Sequence, residues 1–405
     1  MKRSTVLMLA TMAVVLVMAT GLAWAASGDT VADRVLGQTD FTSKLCNKGA
    51  NQPASGRLCA PSDAAVAPSG RLFVSDTGNN RVLSWPSGAS FTNGEQADLV
   101  IGQADFQSRE CNKGTNQPGP AKLCQPYGVE VDSAGRLYVA DQDNSRVLQF
   151  APPFTTNMQA TKVLGQADFT SGQCNKGTNQ PGPAKLCGPY NVGTDGSGNL
   201  YVADTSNNRV LQYTPPLASN MQASKVFGQT DFTSREANRG RASPSSHTLF
   251  RPFGVAVDGG GNLYVADFKN HRALEYDTPL TSGMAAARVF GQGGSFATNI
   301  ENKGGVSANS LYYPTDVAVD GSGNFYAVDQ GNNRILEYNT PLTTNTTADQ
   351  VFGQGGSFAT KTCNNGGVGA NSLCGPNGVG TDSAENLYAG DYANHRVLGY
   401  DAPIP

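Results

Sequence analysis

The residues with the plainest chemical capacity in this 405-residue sequence are eight cysteines, arranged as four spaced pairs. Cys46/Cys59, Cys111/Cys124, Cys174/Cys187 and Cys363/Cys374 each bracket a short polar loop. In two further loops both positions change together, to Ala237 and Phe250 in one and to Glu301 and Tyr312 in the other. Joint loss is what local pairing predicts, because crossed pairing would leave orphans. Zinc would prefer closely spaced Cys-x-x-Cys ligands with histidines nearby, and these are absent. Four local disulfides are therefore expected, each stabilising by about 3 kcal/mol through loop entropy.

A second set of residues carries oxygen. Asp63, Asn191 and Asp316 fall at one register of a repeating pattern, with Gly128, Gly254 and Gly378 at that register in between. Three such side chains around a channel mouth could hold a hard cation such as calcium, completed by backbone carbonyls and water. Glu130 lies two positions further along its own strand, close enough to serve as a base. The plainer alternative is that Asp and Asn make turn hydrogen bonds while Glu130 faces channel water.

A third set is cationic. Lys48, Lys113, Lys176, Arg239 and Lys303 hold equivalent places in the cysteine-type loops, with Asn365 in the sixth. Five cations around one face could attract a partner or an acidic glycan. Asp40, Asp105, Asp168 and Asp231 lie a few residues upstream and offset that field, and solvated turn residues are the plainer alternative. Of the three histidines, His271 and His395 occupy one turn position in two copies, and His247 lies in a cysteine-free loop. They form no metal-binding spacing and read as turn residues. Nucleophile-elbow, phosphate-loop and dinucleotide motifs are absent as well.

The elements that must position these groups are repeats. Leu72–Asp76 recurs as Leu137–Asp141, Leu200–Asp204, Leu263–Asp267, Phe325–Asp329 and Leu387–Asp391. Each aspartate is followed five residues later by an arginine: Arg81, Arg146, Arg209, Arg272, Arg334 and Arg396. Six copies make this pair a scaffold feature, an ion pair or a backbone clamp. The aromatic residue of the same strand (Phe73, Tyr138, Tyr201, Tyr264, Tyr326, Tyr388) reads as packing between repeats. In the third copy four strand signals follow one another: Asn191–Asp195, Leu200–Asp204, Arg209–Tyr213 and Lys225–Gly228. Four antiparallel strands repeated radially make an all-β propeller. The last copy stops after its third strand, whereas an unmatched fourth strand, Arg34–Gln38, opens the repeat region. Pairing them closes a single six-bladed ring of four-stranded blades without a free edge. The cysteine loops and the Asp-x-x-Asn-x-Arg turns then lie at one end of the ring.

Composition sets outer limits. Only 15% of residues are charged and the net charge is −3, which argues against nucleic-acid binding. Lys2 and Arg3 precede an apolar run that ends in Ala23-Trp24-Ala25, the form of a signal peptide over residues 1–25. Residues 26–405 are then expected to be a propeller outside the cytoplasm, secreted or periplasmic, monomeric and without a membrane anchor after cleavage.

The segments Pro252–Asp258, Gly261–Asp267 and Asn270–Tyr276 resemble NHL repeats, in six copies across nearly all of the expected mature chain. That resemblance implies a six-bladed propeller of a family that includes partner-binding modules, RNA-binding modules, extracellular sensor domains and a lyase group. In the amidating-lyase branch, zinc histidines sit at the starts of channel strands. Here those places are Ser62, Tyr127, Tyr190, Phe253, Thr315 and Asn377, a departure from that branch. The leading expectation is an exported module that binds an extracellular or envelope protein or glycan through its cysteine-loop face. The alternative is a metal-dependent hydrolase or lyase using the channel acids, with calcium as the candidate cofactor.

Overall fold

The computed structural model describes residues 29–340 and 347–402. The expected signal segment, residues 1–25, lies outside the described residues. Six four-stranded antiparallel sheets form the blades of a propeller. In blade 1 the strands run Pro61–Val66, Leu72–Asp76, Arg81–Trp85 and Leu99–Ile101, from the channel outward. Blade 6 supplies Val379–Thr381, Leu387–Asp391 and Arg396–Tyr400, and its outer strand is Arg34–Leu36 from the other end of the chain. Arg34 pairs with Gly399 and Leu36 with Val397, so the ring closes as the unmatched strand requires.

Blades hold together through their faces. Phe73 of blade 1 packs among Val129, Val139, Leu148 and Phe150 of blade 2, and Tyr138 does the same against blade 3. All six strand-two aromatics are at most 2% exposed. At the end of each outer strand a glycine turns the chain with positive φ. At Gly102 a Cβ would sit 2.4 Å from Leu123, so the loop can fold onto the blade only with hydrogen there.

Candidate functional site

The loop end of the ring is built on one network repeated six times. In blade 1, Asp76 accepts the Cys59 N–H at 2.7 Å, Asn79 Nδ2 at 2.8 Å and Arg81 Nε at 2.7 Å. Arg81 also donates to the Ala54 and Arg57 carbonyls of its own loop and to the Phe106 carbonyl of the next. Asn47 and Asn79 exchange amide hydrogen bonds at 2.9 and 3.1 Å. The aspartate and arginine side chains are fully buried in every blade. The repeated pair is thus an ion pair and a backbone clamp at once, and each clamp joins two successive loops. Arg396 extends the series to Phe41 and so locks the closure strand.

All four expected disulfides are formed, Cys46–Cys59, Cys111–Cys124, Cys174–Cys187 and Cys363–Cys374, with Cα separations of 4.3–4.5 Å. His271 and His395 are turn residues with a shared task. Nδ1 of His271 accepts the Tyr313 N–H at 3.2 Å, and Nδ1 of His395 accepts the Ala60 N–H at 2.9 Å. Asn80, Ser145, Asn208 and Asn333 accept the equivalent N–H in the other blades. Burial holds both imidazoles below their ordinary range, His271 down to about 4.

The loop cations lean back onto the protein. Lys48, Lys113, Lys176 and Arg239 hold left-handed backbone positions and are partly buried, as is Lys303. Lys113 donates to Asn157 and Lys176 to Asn220, each between the third and outer strands of the blade that the lysine's loop leads into. Arg239 reaches the Gln229 carbonyl at 2.9 Å, and Lys303 the Gln292 carbonyl at 3.1 Å. Asn365 makes the corresponding bond to Gln354 at 3.1 Å.

Inside the ring, Asp63, Glu130, Asn191 and Asp316 line one cavity of about 190 Å³, together with Thr194 and Thr381. Asp63 Oδ2 accepts the Val129 N–H of the next blade at 3.0 Å, and its Oδ1 accepts the Ala64 N–H at 2.8 Å. Asp316 repeats this between blades 5 and 6 through the Val379 N–H at 2.9 Å, and it also receives Asn191 Nδ2 at 2.8 Å. Glu130 accepts the Thr194 hydroxyl at 2.8 Å. The alternating glycines now have a reason. A Cβ on Gly128 would lie 2.5 Å from Asn191 Cα, and one on Gly254 would lie 2.4 Å from Asp316 Cα. Burial raises the carboxyls of Asp63 and Asp316; repulsion by Glu130 raises Asp63 further, and repulsion by Asp63 and Glu130 raises Asp316. Glu130 is pushed up to about 7, chiefly by burial. Among the described residues no group of three or more His, Cys, Asp or Glu is placed to hold a metal ion.

The feature that residue-by-residue reading missed is a row of aromatic rings at the loop end. Tyr127, Tyr190 and Phe253, at the channel-strand starts of blades 2, 3 and 4, stack with centroids 4.4 and 4.0 Å apart. Phe253 stacks on Phe268 at 4.0 Å, Phe268 on Tyr313 at 4.7 Å and Tyr313 on Tyr312 at 4.4 Å. Asn377 of blade 6 donates to the Tyr190 hydroxyl at 2.7 Å. Blades 3 and 6 face each other across the ring, so Tyr190 spans the channel. The rings roof the cavity, whose lining begins one residue deeper, with Asp63. Tyr190 and Phe253 are buried, whereas Tyr127, Phe268, Tyr312 and Tyr313 remain partly exposed. Lys269 Nζ lies 4.5 Å from the Tyr313 centroid and 5.3 Å from that of Phe268, and Arg251 lies 5.9 Å from the Phe253 ring. The available signal was broken symmetry: blades 1, 5 and 6 have Ser62, Thr315 and Asn377 where blades 2 to 4 have aromatics.

Comparison with known proteins bears on this architecture. The NHL repeat family model matches residues 58–94, 123–150 and 251–272. Human NHL repeat-containing protein 3 is 35% identical over 79 residues, covering 20% of this chain and 21% of that protein. Mouse teneurin-4 is 26% identical over 286 residues, 66% of this chain, and zebrafish teneurin-3 is 25% identical over 294 residues. The chain spans about a tenth of the length of these teneurins. Solved structures similar to it include a streptogramin B lyase, at 12% identity and TM-score 0.44, covering 88% of this chain and 95% of that one. The hydrazine synthase of Kuenenia stuttgartiensis aligns at 13% identity and TM-score 0.49, covering 88% and 99%. Neither structural likeness bears on activity. With repeats matched in blades 1, 2 and 4 and six blades closed into one ring, this chain is a six-bladed β-propeller that carries NHL repeats at residues 58–94, 123–150 and 251–272.

Proposed function

We propose that this chain is an exported interaction module that binds a partner protein on its loop face. The observation that carries this reading is the aromatic row, partly exposed at Tyr127, Phe268, Tyr312 and Tyr313 where the sixfold pattern breaks, and held by channel-strand starts and the turns beside them. Loops on a rigid scaffold are where binding residues concentrate, and tyrosine is enriched among residues that dominate interface energetics. Four disulfides fit an oxidising compartment, and no helix of the described residues is long and apolar enough to cross a membrane. A photo-crosslinking amino acid at position 313, compared with one at exposed Ser197 on the opposite end, tests this in the native host. The reading expects a discrete protein adduct from position 313 alone. Adducts from position 197 only, or from neither position, would overturn it.

A metal-dependent hydrolase or lyase is the second reading, supported by the convergence of Asp63, Asn191, Asp316 and Glu130 on one cavity. Its difficulty is that the oxygens a cation needs already accept backbone and amide N–H groups. Calcium measured in natively purified protein decides it: one equivalent, lost in Asp316→Ala, supports the site, and metal-free protein removes it.

A further inference from the structure

Resting on the loop-face reading, we infer that the aromatic row receives an extended polypeptide segment with carboxylates at its centre and apolar residues on either side.

The shape of the row limits the ligand. Because the rings stack face on face, their faces are largely spent on one another. The rims of Tyr127, Phe268, Tyr312 and Tyr313 remain for contact. An aromatic rim is the positive part of the ring quadrupole, so it favours carboxylate oxygens over cations. A flat sugar ring, which packs best on an open aromatic face, finds little to lie on. The five centroid steps give the row a contour of at most roughly 20 Å, about the reach of six extended residues.

Charge fixes the pattern along that length. Lys269 and Arg251 stand over the middle of the row, and among the described residues neither has a carboxylate within ion-pair distance. Beyond those two rings, the Lys269 ammonium makes a 3.5 Å contact with the Tyr313 hydroxyl. The ends of the row are acidic instead: Asp143 acts electrostatically on Tyr127, and Glu301 on Tyr312. A uniformly anionic glycan would be drawn to the centre and repelled at both ends. A peptide with a short acidic centre and apolar flanks meets cations and ring rims where it is charged, and keeps carboxylates away from Asp143 and Glu301 at the ends.

A random 12-residue phage-displayed peptide library, panned on the disulfide-intact protein, tests this. Enriched peptides should carry adjacent acidic residues flanked by apolar ones. A fluorescein-labelled consensus peptide should bind at least tenfold more weakly to Lys269→Glu/Arg251→Glu, and more weakly to Phe268→Leu. Its affinity for Lys113→Ala/Lys176→Ala should be unchanged. The charge-reversal sites are exposed or partly exposed, so an unchanged melting temperature verifies the fold. No acidic enrichment, binding indifferent to the charge reversal, or binding lost instead with the Lys113/Lys176 pair would overturn the inference. So would tight polygalacturonate binding that disappears in Lys269→Glu/Arg251→Glu, which assigns the row to acidic glycans. If position 313 crosslinks a protein while these peptide results fail, the loop-face reading stands and this inference alone falls.

Discussion

Two populations of buried carboxylates lie close together in this molecule and live under opposite rules. Asp76 and its five counterparts each face an arginine and two further donors, so the charge is matched on the spot. Asp63 and Asp316, at the inner strands, face N–H groups, one another and Glu130 across a small cavity, with no cation beside them among the described residues. The first population is present in all six blades, and the second only in alternate blades, with Asn191 as its neutral member. Kept symmetry marks what every blade needs in order to exist. Broken symmetry marks what a few blades do for the whole ring: here, crosslinking neighbours under an aromatic roof.

Breaking one clamp should give the largest effect. Arg209→Met leaves Asp204 buried without its cation and should cost about 3–5 kcal/mol, read by denaturant unfolding. A loss below about 1 kcal/mol would mean that the two populations do not differ as described. Next comes the staple beneath the same loops: Cys174→Ser with Cys187→Ser should cost about 3 kcal/mol, with the inner-strand acids unaffected. Asp63→Asn and Glu130→Gln sharpen the contrast from the other side.

Glu130 gives up its proton near 4.5 when unfolded and near 7 when folded. Its contribution is therefore full below pH 4.5 and is lost as pH rises through 7. Glu130→Gln should add roughly 1–2 kcal/mol at pH 8 and almost nothing at pH 4. The smallest effect is expected at His271, whose folded value lies near 4 against an ordinary 6.5. Its contribution is present above pH 6.5 and is lost as pH falls through 4, so His271→Asn should flatten the acid limb of the stability curve.

The blades were legible because the chain writes the same instruction six times. The aromatic-x-x-Asp strand, the Arg five residues on and the paired cysteines each supplied internal controls that a single copy lacks. The closure strand was legible for a related reason: Arg34-Val-Leu resembled the outer strands and had no blade of its own. Convergence of Asp63, Asn191 and Asp316 followed from their shared register, although their hydrogen bonds did not. The aromatic row was hidden because its members are ordinary one at a time. Tyr127, Tyr190 and Phe253 look like strand-entry residues, and Phe268 and Tyr313 like turn residues, until ring closure sets them side by side. The direction of the loop cations was hidden too, since a left-handed turn at Lys113 or Lys176 folds the side chain back along the loop.

The junction between Arg396 and Phe41 joins residues 355 positions apart, and the closure strand lies beside it. Among the described residues, the earliest β-strand in the chain, Arg34–Leu36, thus has no partner until the latest one, Arg396–Tyr400, is made. Blades 1 to 5 can each condense from local hairpins, but blade 6 must wait for the whole chain, and this long-range step is expected to set the folding rate. The interval between synthesis of that strand and closure is the vulnerable one, when a protease or a second chain can reach an unfinished sixth blade.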